Sequence, residues 1–380
     1  MLDRLISIFT SLRLTVVCLV FGTLLVFAGT MAQVDMGLYK AQNEFFRSFL
    51  VLWKLPGLPL TLPLPGGYLV GGVLLINLVA SHFKRFKLSV DKAGIWMVHL
   101  GLILLLLGQL ATDLLSNESN LHLREGETRN YSESNREVEL AVVDITDPSV
   151  DKVVTVAHQA LAQQKTLRLP ELPFTVKVQK FYENSSLENR TANSAEPAAA
   201  TQGVGTRAIL KPLPRVTATD RRDIPTVTYE LLAGDKSLGT WIASEYINAP
   251  QLLTYEGRQY QMELRLRRHY KPFSLHLLEF RHDLYPGTEI PKNFSSRLVL
   301  HRSDETEKRE VLIKMNNPLR YMGETFYQAS FDPDNQGTIL QVVHNPSWLT
   351  PYLSCILVGV GLIVQFATHL LGFTFKRRTT

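Results

Sequence analysis

Four apolar runs constrain this chain more than any other feature. They cover residues 14–31, 68–83, 93–111 and 352–375, and a long polar stretch separates the third from the fourth. A helix needs about 20 apolar residues to cross a hydrocarbon core. The first, third and fourth runs meet that length. The second is shorter and carries Asn77, and the prolines at 59, 63 and 65 keep its helix from extending backwards. The mean hydropathy near zero therefore averages two unlike regions. Residues 14–31 exceed the roughly 7–15-residue core of a secretory signal and read as an uncleaved membrane helix. The expected fold is an integral membrane protein. Its transmembrane helices lie at about 14–31, 66–83 and 93–113 in a membrane region of residues 1–113, with a fourth within 351–380. Residues 114–350 form a large, mainly β extracytoplasmic domain between them.

Basic residues in short loops set orientation. Arg4 and Arg13 flank the first run, Lys84, Arg85, Lys87 and Lys92 crowd the connection between the second and third, and Lys376, Arg377 and Arg378 follow the fourth. With four spans these clusters share one side. Both termini are then cytoplasmic, residues 114–350 lie outside, and the expected location is the inner (cytoplasmic) membrane. The net charge of +5 is partly this topological signal. No basic-aromatic recognition module is visible, so nucleic acid is not an expected partner. Cys18 and Cys355 fall at different expected depths, too far apart for a disulfide. No Cys-x-x-Cys-His is present, so the chain attaches no haem c to itself.

Residues 37–53 mix Leu38, Phe45, Phe46, Phe49, Leu50 and Trp53 with Lys40, Glu44 and Arg47. This pattern predicts an amphipathic helix, lying on the outer interface or packed on the outer domain. Between 138 and 343, short alternating or β-branched stretches recur, among them 138–145, 174–181, 226–232, 259–267, 274–280 and 325–331. Turn residues such as Ala233-Gly-Asp, Tyr285-Pro-Gly and Asp332-Pro-Asp-Asn separate them. About ten short strands suggest a sandwich or open barrel. Residues 184–206, rich in Asn, Ser, Ala and Gly, read as a mobile insertion.

One histidine, His99, lies inside the third apolar run. An ionisable group within a membrane span is a functional candidate by default, and imidazole is a good iron ligand. Gly94, Gly101 and Gly108 recur every seven residues, a spacing that drifts only about 20° per heptad, so they form one narrow seam for close helix approach. His99 points roughly 140° or more away from that seam. It therefore faces a different neighbour or a ligand. His369 and His82 are the other candidates. Measured from Lys376 and Lys92, His369 and His99 share one depth, so a bis-histidine haem site within the chain is allowed. His82, beside Lys84 and Arg85, reads as interfacial and solvated. The outer histidines His122, His158, His269, His276, His282, His301 and His344 show no compact metal spacing. No nucleophile elbow, phosphate-binding loop or dinucleotide fingerprint occurs.

Several features together resemble a family. They are three N-terminal spans, a basic hairpin before Gly94-Ile-Trp-Met-Val-His-Leu-Gly, a β-rich outer domain and a final span. Two further segments are Asp283-Leu-Tyr-Pro-Gly-Thr-Glu-Ile-Pro-Lys-Asn-Phe-Ser-Ser-Arg-Leu and Met315-Asn-Asn-Pro-Leu-Arg-Tyr-Met-Gly-Glu-Thr-Phe-Tyr-Gln-Ala-Ser-Phe. Over nearly its whole length the chain resembles the ResB/CcsB family of system II cytochrome c biogenesis proteins. The resemblance implies a haem-handling subunit that works with a ResC/CcsA-type membrane protein. Together they move haem across the bilayer and present it to apocytochrome c. Haem b would be transient cargo and His99 its axial ligand, with His369 a weaker candidate. The partner would supply the other transmembrane histidine, two outer histidines and the tryptophan-rich haem motif, which is missing here: the tryptophans are Trp53, Trp96, Trp241 and Trp348. The resemblance implies no enzyme alone, but an accessory subunit of a cytochrome c haem lyase. The rival reading is a membrane-anchored scaffold whose β domain binds a partner, with His99 structural.

Overall fold

In the computed structural model, the described residues are 2–54, 60–85, 89, 92–191, 194, 196–216, 222–288 and 291–378. The membrane region opens with helices α1 (Leu2–Phe9) and α2 (Leu12–Met36). Asn77 stabilises the break between them. Its side-chain amide donates to the carbonyls of Phe9 (2.7 Å) and Ser11 (3.1 Å), and its oxygen accepts from the Thr15 hydroxyl (2.6 Å). The polar residue that weakens the second apolar run is thus 2% exposed and occupied with an interrupted helix. Broken backbone needs such partners in an apolar medium.

The segment after α2 departs from the expected single helix over 37–53. A short helix α3 (Leu38–Ala41) runs into a π-helical turn, Gln42–Phe46, and then Leu50–Lys54 forms a strand antiparallel to Thr61–Pro65. The run Leu-Val-Leu-Trp favours a strand, and prolines 63 and 65 are tolerated because their strand has a single neighbour. Phe45 and Val51 are buried against Leu25, Ala28 and Ala32 of α2, whereas Leu38, Phe49 and Leu50 stay exposed.

Three further long helices follow in sequence: α4 (Gly67–Arg85), α5 (Ala93–Leu115) and, after the outer domain with its short α6 (His158–Ala162), α7 (Thr350–Arg378). With α2, they are the four described helices long and apolar enough to cross a membrane. The glycine seam of α5 packs on α7. A Cβ at Gly94 would sit 2.6 Å from the Gly361 carbonyl, and one at Gly101 would sit 2.6 Å from a Val358 methyl. Gly108 abuts Thr350 in the same way. Neither helix can rotate without losing this fit.

The second unit, Glu118–Val216 with Asp220–Val343, is β-rich. Its spine is a 27-residue strand, Arg258–Leu284, in a ten-stranded sheet. The sequence reads as two strands there, and the structure shows why. Tyr260, Met262 and Leu264 are buried in the first half, and Phe273, Leu275 and Leu277 in the second. The inward parity switches from even to odd. Register shifts against Thr128–Asp144, between Leu266 and Arg268 and between Tyr270 and Leu275, accomplish the switch. Each half therefore serves its own core. The first packs with Val138, Leu140 and Val142 on a four-stranded sheet carrying Val176, Val227, Tyr229 and Trp241, a sandwich arrangement. The second joins Leu121, Leu298, Leu300, Ile313, Phe326 and Leu340, all from the ten-stranded sheet, which curls around them as an open barrel does.

Within residues 184–206, Ser185–Asn189 pairs with Ala208–Pro212, and a 3-10 turn covers Gly203–Arg207. The Thr201 backbone N–H donates to Thr240 Oγ1 at 2.9 Å. Ala192, Asn193 and Ala195 lie outside the described residues. Asn316 (φ 60°), Met322 (φ 47°) and Gly323 (φ 81°) turn the chain between the last strands.

The glycine seam makes a direct prediction. Gly101→Leu should destabilise the chain by about 1–3 kcal/mol through overpacking. Gly72→Ala should be near neutral, since a Cβ there meets nothing within 4 Å. Thermal unfolding of both variants in one detergent checks the contrast, and equal midpoints would remove the seam's structural role.

Candidate functional site

The α4–α5 hairpin brings the candidate histidines together. His82, near the end of α4, is 5% exposed. This corrects the expectation of a solvated, interfacial residue: three positions further from the connection than Arg85, it turns inward against α5. Its ring meets the Trp96 indole, with centroids 3.7 Å apart and planes at 71°. It also faces His99 at 6.2 Å between centroids, with planes only 27° apart. Trp96 and His99 are three residues apart on α5 and so share a face. His99 is half-buried.

Contacts at the other end of the hairpin hold this register. The Tyr68 hydroxyl at the start of α4 donates to Asp113 Oδ2 near the end of α5, at 2.5 Å. Arg47 Nε reaches the other Asp113 oxygen at 2.5 Å. The Asp113 side chain is 13% exposed, so its charge is sheltered with a cationic partner, as a buried carboxylate requires. On the opposite side of α5, the glycine seam fixes helix rotation against α7. The expectation that the seam packs within the chain while His99 faces elsewhere matches this geometry. The neighbour it faces is α4.

His369 is not at this site. Gly94 abuts Gly361 and Gln365, and Gly101 abuts Ser354 and Val358, so α5 and α7 run antiparallel with His99 level with the middle of α7. His369 is exposed and lies one turn beyond Gln365, past the level of Gly94 and away from His99. Depths measured from the flanking lysines fail because the seam, not the basic ends, sets the register. Of the basic connection, Lys84 and Lys92 are exposed, while Lys87 and the Arg85 side chain lie outside the described residues. Cys18 is buried, Cys355 is exposed, and both are free.

Sequence inspection missed the His82–Trp96–His99 cluster, although a signal existed. The pairs His82–His99 and Tyr68–Asp113 are both centred between residues 90 and 91. Two polar pairs symmetric about one turn are what an antiparallel helical hairpin brings face to face.

Several histidines of the β unit have local partners. His122 Nε2 lies 2.9 Å from both oxygens of Asp332, His276 Nδ1 lies 2.8 Å from the Thr128 hydroxyl, and His282 sits between Phe294 and Phe331 with 4.7 Å to each ring. Among the described residues no three His, Cys, Asp or Glu side chains converge as a metal site would require. Burial, together with the Arg267 and Lys271 charges, lowers the pKa of His269. The unfolded chain therefore takes up this proton first as pH falls below about 6.5, and stability declines until the lower folded pKa is passed. His269→Gln should flatten that part of the acid profile. Tryptophan-fluorescence melts of both chains between pH 7 and 5 test it, and parallel profiles would assign the decline elsewhere.

Comparison with known proteins bears on the outer unit first. Residues 248–339 match the ResB-like family, a stretch that includes the long spine strand and most of the barrel core. The chain is also 27% identical over 297 residues to Protein NrfI of Wolinella succinogenes. That alignment covers 77% of this chain and 29% of NrfI, so the chain spans under a third of that relative. The family match and this likeness, on a chain of four apolar helices enclosing a β-rich unit, support a ResB/CcsB-type protein.

Proposed function

We propose that this chain is the haem-handling subunit of a membrane assembly for cytochrome c biogenesis, with His99 as an axial ligand of the haem it passes on. The ResB-like match supports the biogenesis role and the four apolar helices support the membrane location. One observation carries the finer reading. His99 sits within an apolar helix, turned off the glycine seam, beside the His82 ring. Haem is a flat apolar disc whose iron needs axial ligands, and an imidazole among apolar groups supplies one. Iron porphyrin is cargo here. The protein's part is to bind it, orient it and exclude water.

In this reading a ResC/CcsA-type membrane protein completes the assembly, and together they deliver haem to apocytochrome c, where thioether bonds form. The exposed faces of α4 and α5, including Ile76, Phe83, Leu100, Leu105 and Leu110, provide apolar surface for lipid or for such a partner. The outer β unit binds or shields the apocytochrome. In this reading the basic connection and both termini lie in the cytoplasm and the β unit outside, as the positive-inside tendency favours.

Two experiments test this. The chain purified with its membrane partner should show a Soret band that His99→Ala removes or strongly reduces and that added imidazole restores. A band unchanged by the substitution would leave the chain as a membrane-anchored scaffold. Reporters fused after Arg378 and at Asn189 should read cytoplasmic and external, respectively, and the reverse would overturn the topology.

A further inference from the structure

The strands that join α2 to α4, Leu50–Lys54 and Thr61–Pro65, form a two-stranded sheet that is apolar on both faces. Val51 and Trp53, with Leu64 across from Val51, pack inward on α2. The outward row pairs Leu50 with Pro65 and Leu52 with Pro63, and only Lys54 and Thr61 at its end are polar. Leu50 is 62% exposed, Leu52 68% and the neighbouring Phe49 67%. A sheet with one face in water alternates apolar and polar residues. This sheet needs a second apolar medium.

Its proline-bearing edge agrees. The Gly66 backbone N–H donates to the Phe49 carbonyl at 2.9 Å, so by the alternation of an antiparallel ladder the nitrogens of Pro63 and Pro65 face away from the partner strand. Those two positions present no N–H for water to satisfy, which suits a surface from which water is excluded.

Neighbouring contacts fix where the sheet sits. Arg47 pairs with Asp113 near the end of α5, and the Phe49 ring lies 5.9 Å from that of Tyr68 at the start of α4. The Ser48 carbonyl accepts from the Tyr68 backbone N–H at 3.1 Å, and a Cβ on Gly66 would collide with that same oxygen. Asn345 Nδ2 donates to Thr112 Oγ1 at 3.3 Å, which brings the start of α7 to the same level. There Trp348 and Tyr352 are exposed, with ring centres 6.2 Å apart. Trp and Tyr gather where the hydrocarbon of a bilayer gives way to headgroups. The outward leucines thus lie at the rim of the surface that the spanning helices offer to lipid, continuous with the exposed Val34 and Leu38.

We propose that this sheet is a membrane-surface anchor, with Phe49, Leu50 and Leu52 seated at the headgroup–acyl boundary of the bilayer. Through Arg47 and Tyr68 the anchor holds Asp113 at that boundary. The helix rise from Asp113 back to His99 is about 21 Å. In a hydrocarbon core about 30 Å thick, this depth puts His99 in the opposite leaflet.

The test uses the full-length chain, one copy per phosphatidylcholine nanodisc, with Cys18→Ala and Cys355→Ser so that a nitroxide attaches only to an introduced cysteine. Leu52→Cys is the probe and Leu50→Cys its repeat; both side chains are exposed, so neither substitution disturbs packing. Ile363→Cys on α7 gives the reference for a helix facing lipid, and Asp235→Cys, in a turn of the β unit, the reference in water. Power saturation compares collisions with oxygen, which concentrates in lipid, and with a nickel chelate, which stays in water. The labels at 50 and 52 should favour oxygen, at a depth of about 5–10 Å into the boundary. Nickel collisions as frequent as at position 235 would overturn the anchor. In discs of acyl-deuterated lipid, the spin echo of the label at 52 should also carry deuterium modulation. A dry label without that modulation would mean that protein, not lipid, covers the face, and the proposal would fall as well.

Discussion

The close approach of α5 and α7 is the contact on which the membrane region depends. No hydrophobic effect drives two helices together in lipid, so shape must do it, and three glycines at heptad spacing supply the shape. Their positions fix how α5 is rotated. That rotation turns His99 away from α7 and towards α4, where His82, packed on the Trp96 ring of α5, meets it. The chemistry proposed for one imidazole therefore rests on the fit between glycines of its own helix and atoms of α7.

A similar economy governs the outer unit. One strand of 27 residues serves two cores because irregular pairing lets it present opposite faces along its length. Tyr260, Met262 and Leu264 fill a sandwich, and Phe273, Leu275 and Leu277, with Phe280 after a further register shift, fill a curled sheet. The ResB-like match falls mainly on the curled half and its spine. The segments whose turns and aromatics stood out in sequence, around Phe294, Tyr321, Phe326 and Phe331, line that half. Their role is architectural.

Much of this was legible from residue order. Apolar length located the four spanning helices, and the glycine period located the seam. Alternation located most strands, but it divided the spine in two because parity breaks at its register shifts. The helix expected over 37–53 failed after Phe46, where β-prone residues found a partner strand across a proline-rich segment. Depth was the weakest inference. Counting inward from lysines put His369 beside His99 and His82 in solvent, whereas packing against neighbouring helices decides both. Hairpin symmetry was readable and would have paired His82 with His99. It is visible only when two helices are considered as one object.

The seam also has a consequence for biosynthesis. α5 is made before the β unit and α7 after it, so the grooved face of α5 has no mate until α7 has been synthesised. Throughout that interval the helix carrying His99 has its contacts to α4 but lacks the seam contacts to α7. A prematurely ended polypeptide would keep its small-residue stripe open to lipid, a mark by which membrane proteases could distinguish unfinished copies from completed ones.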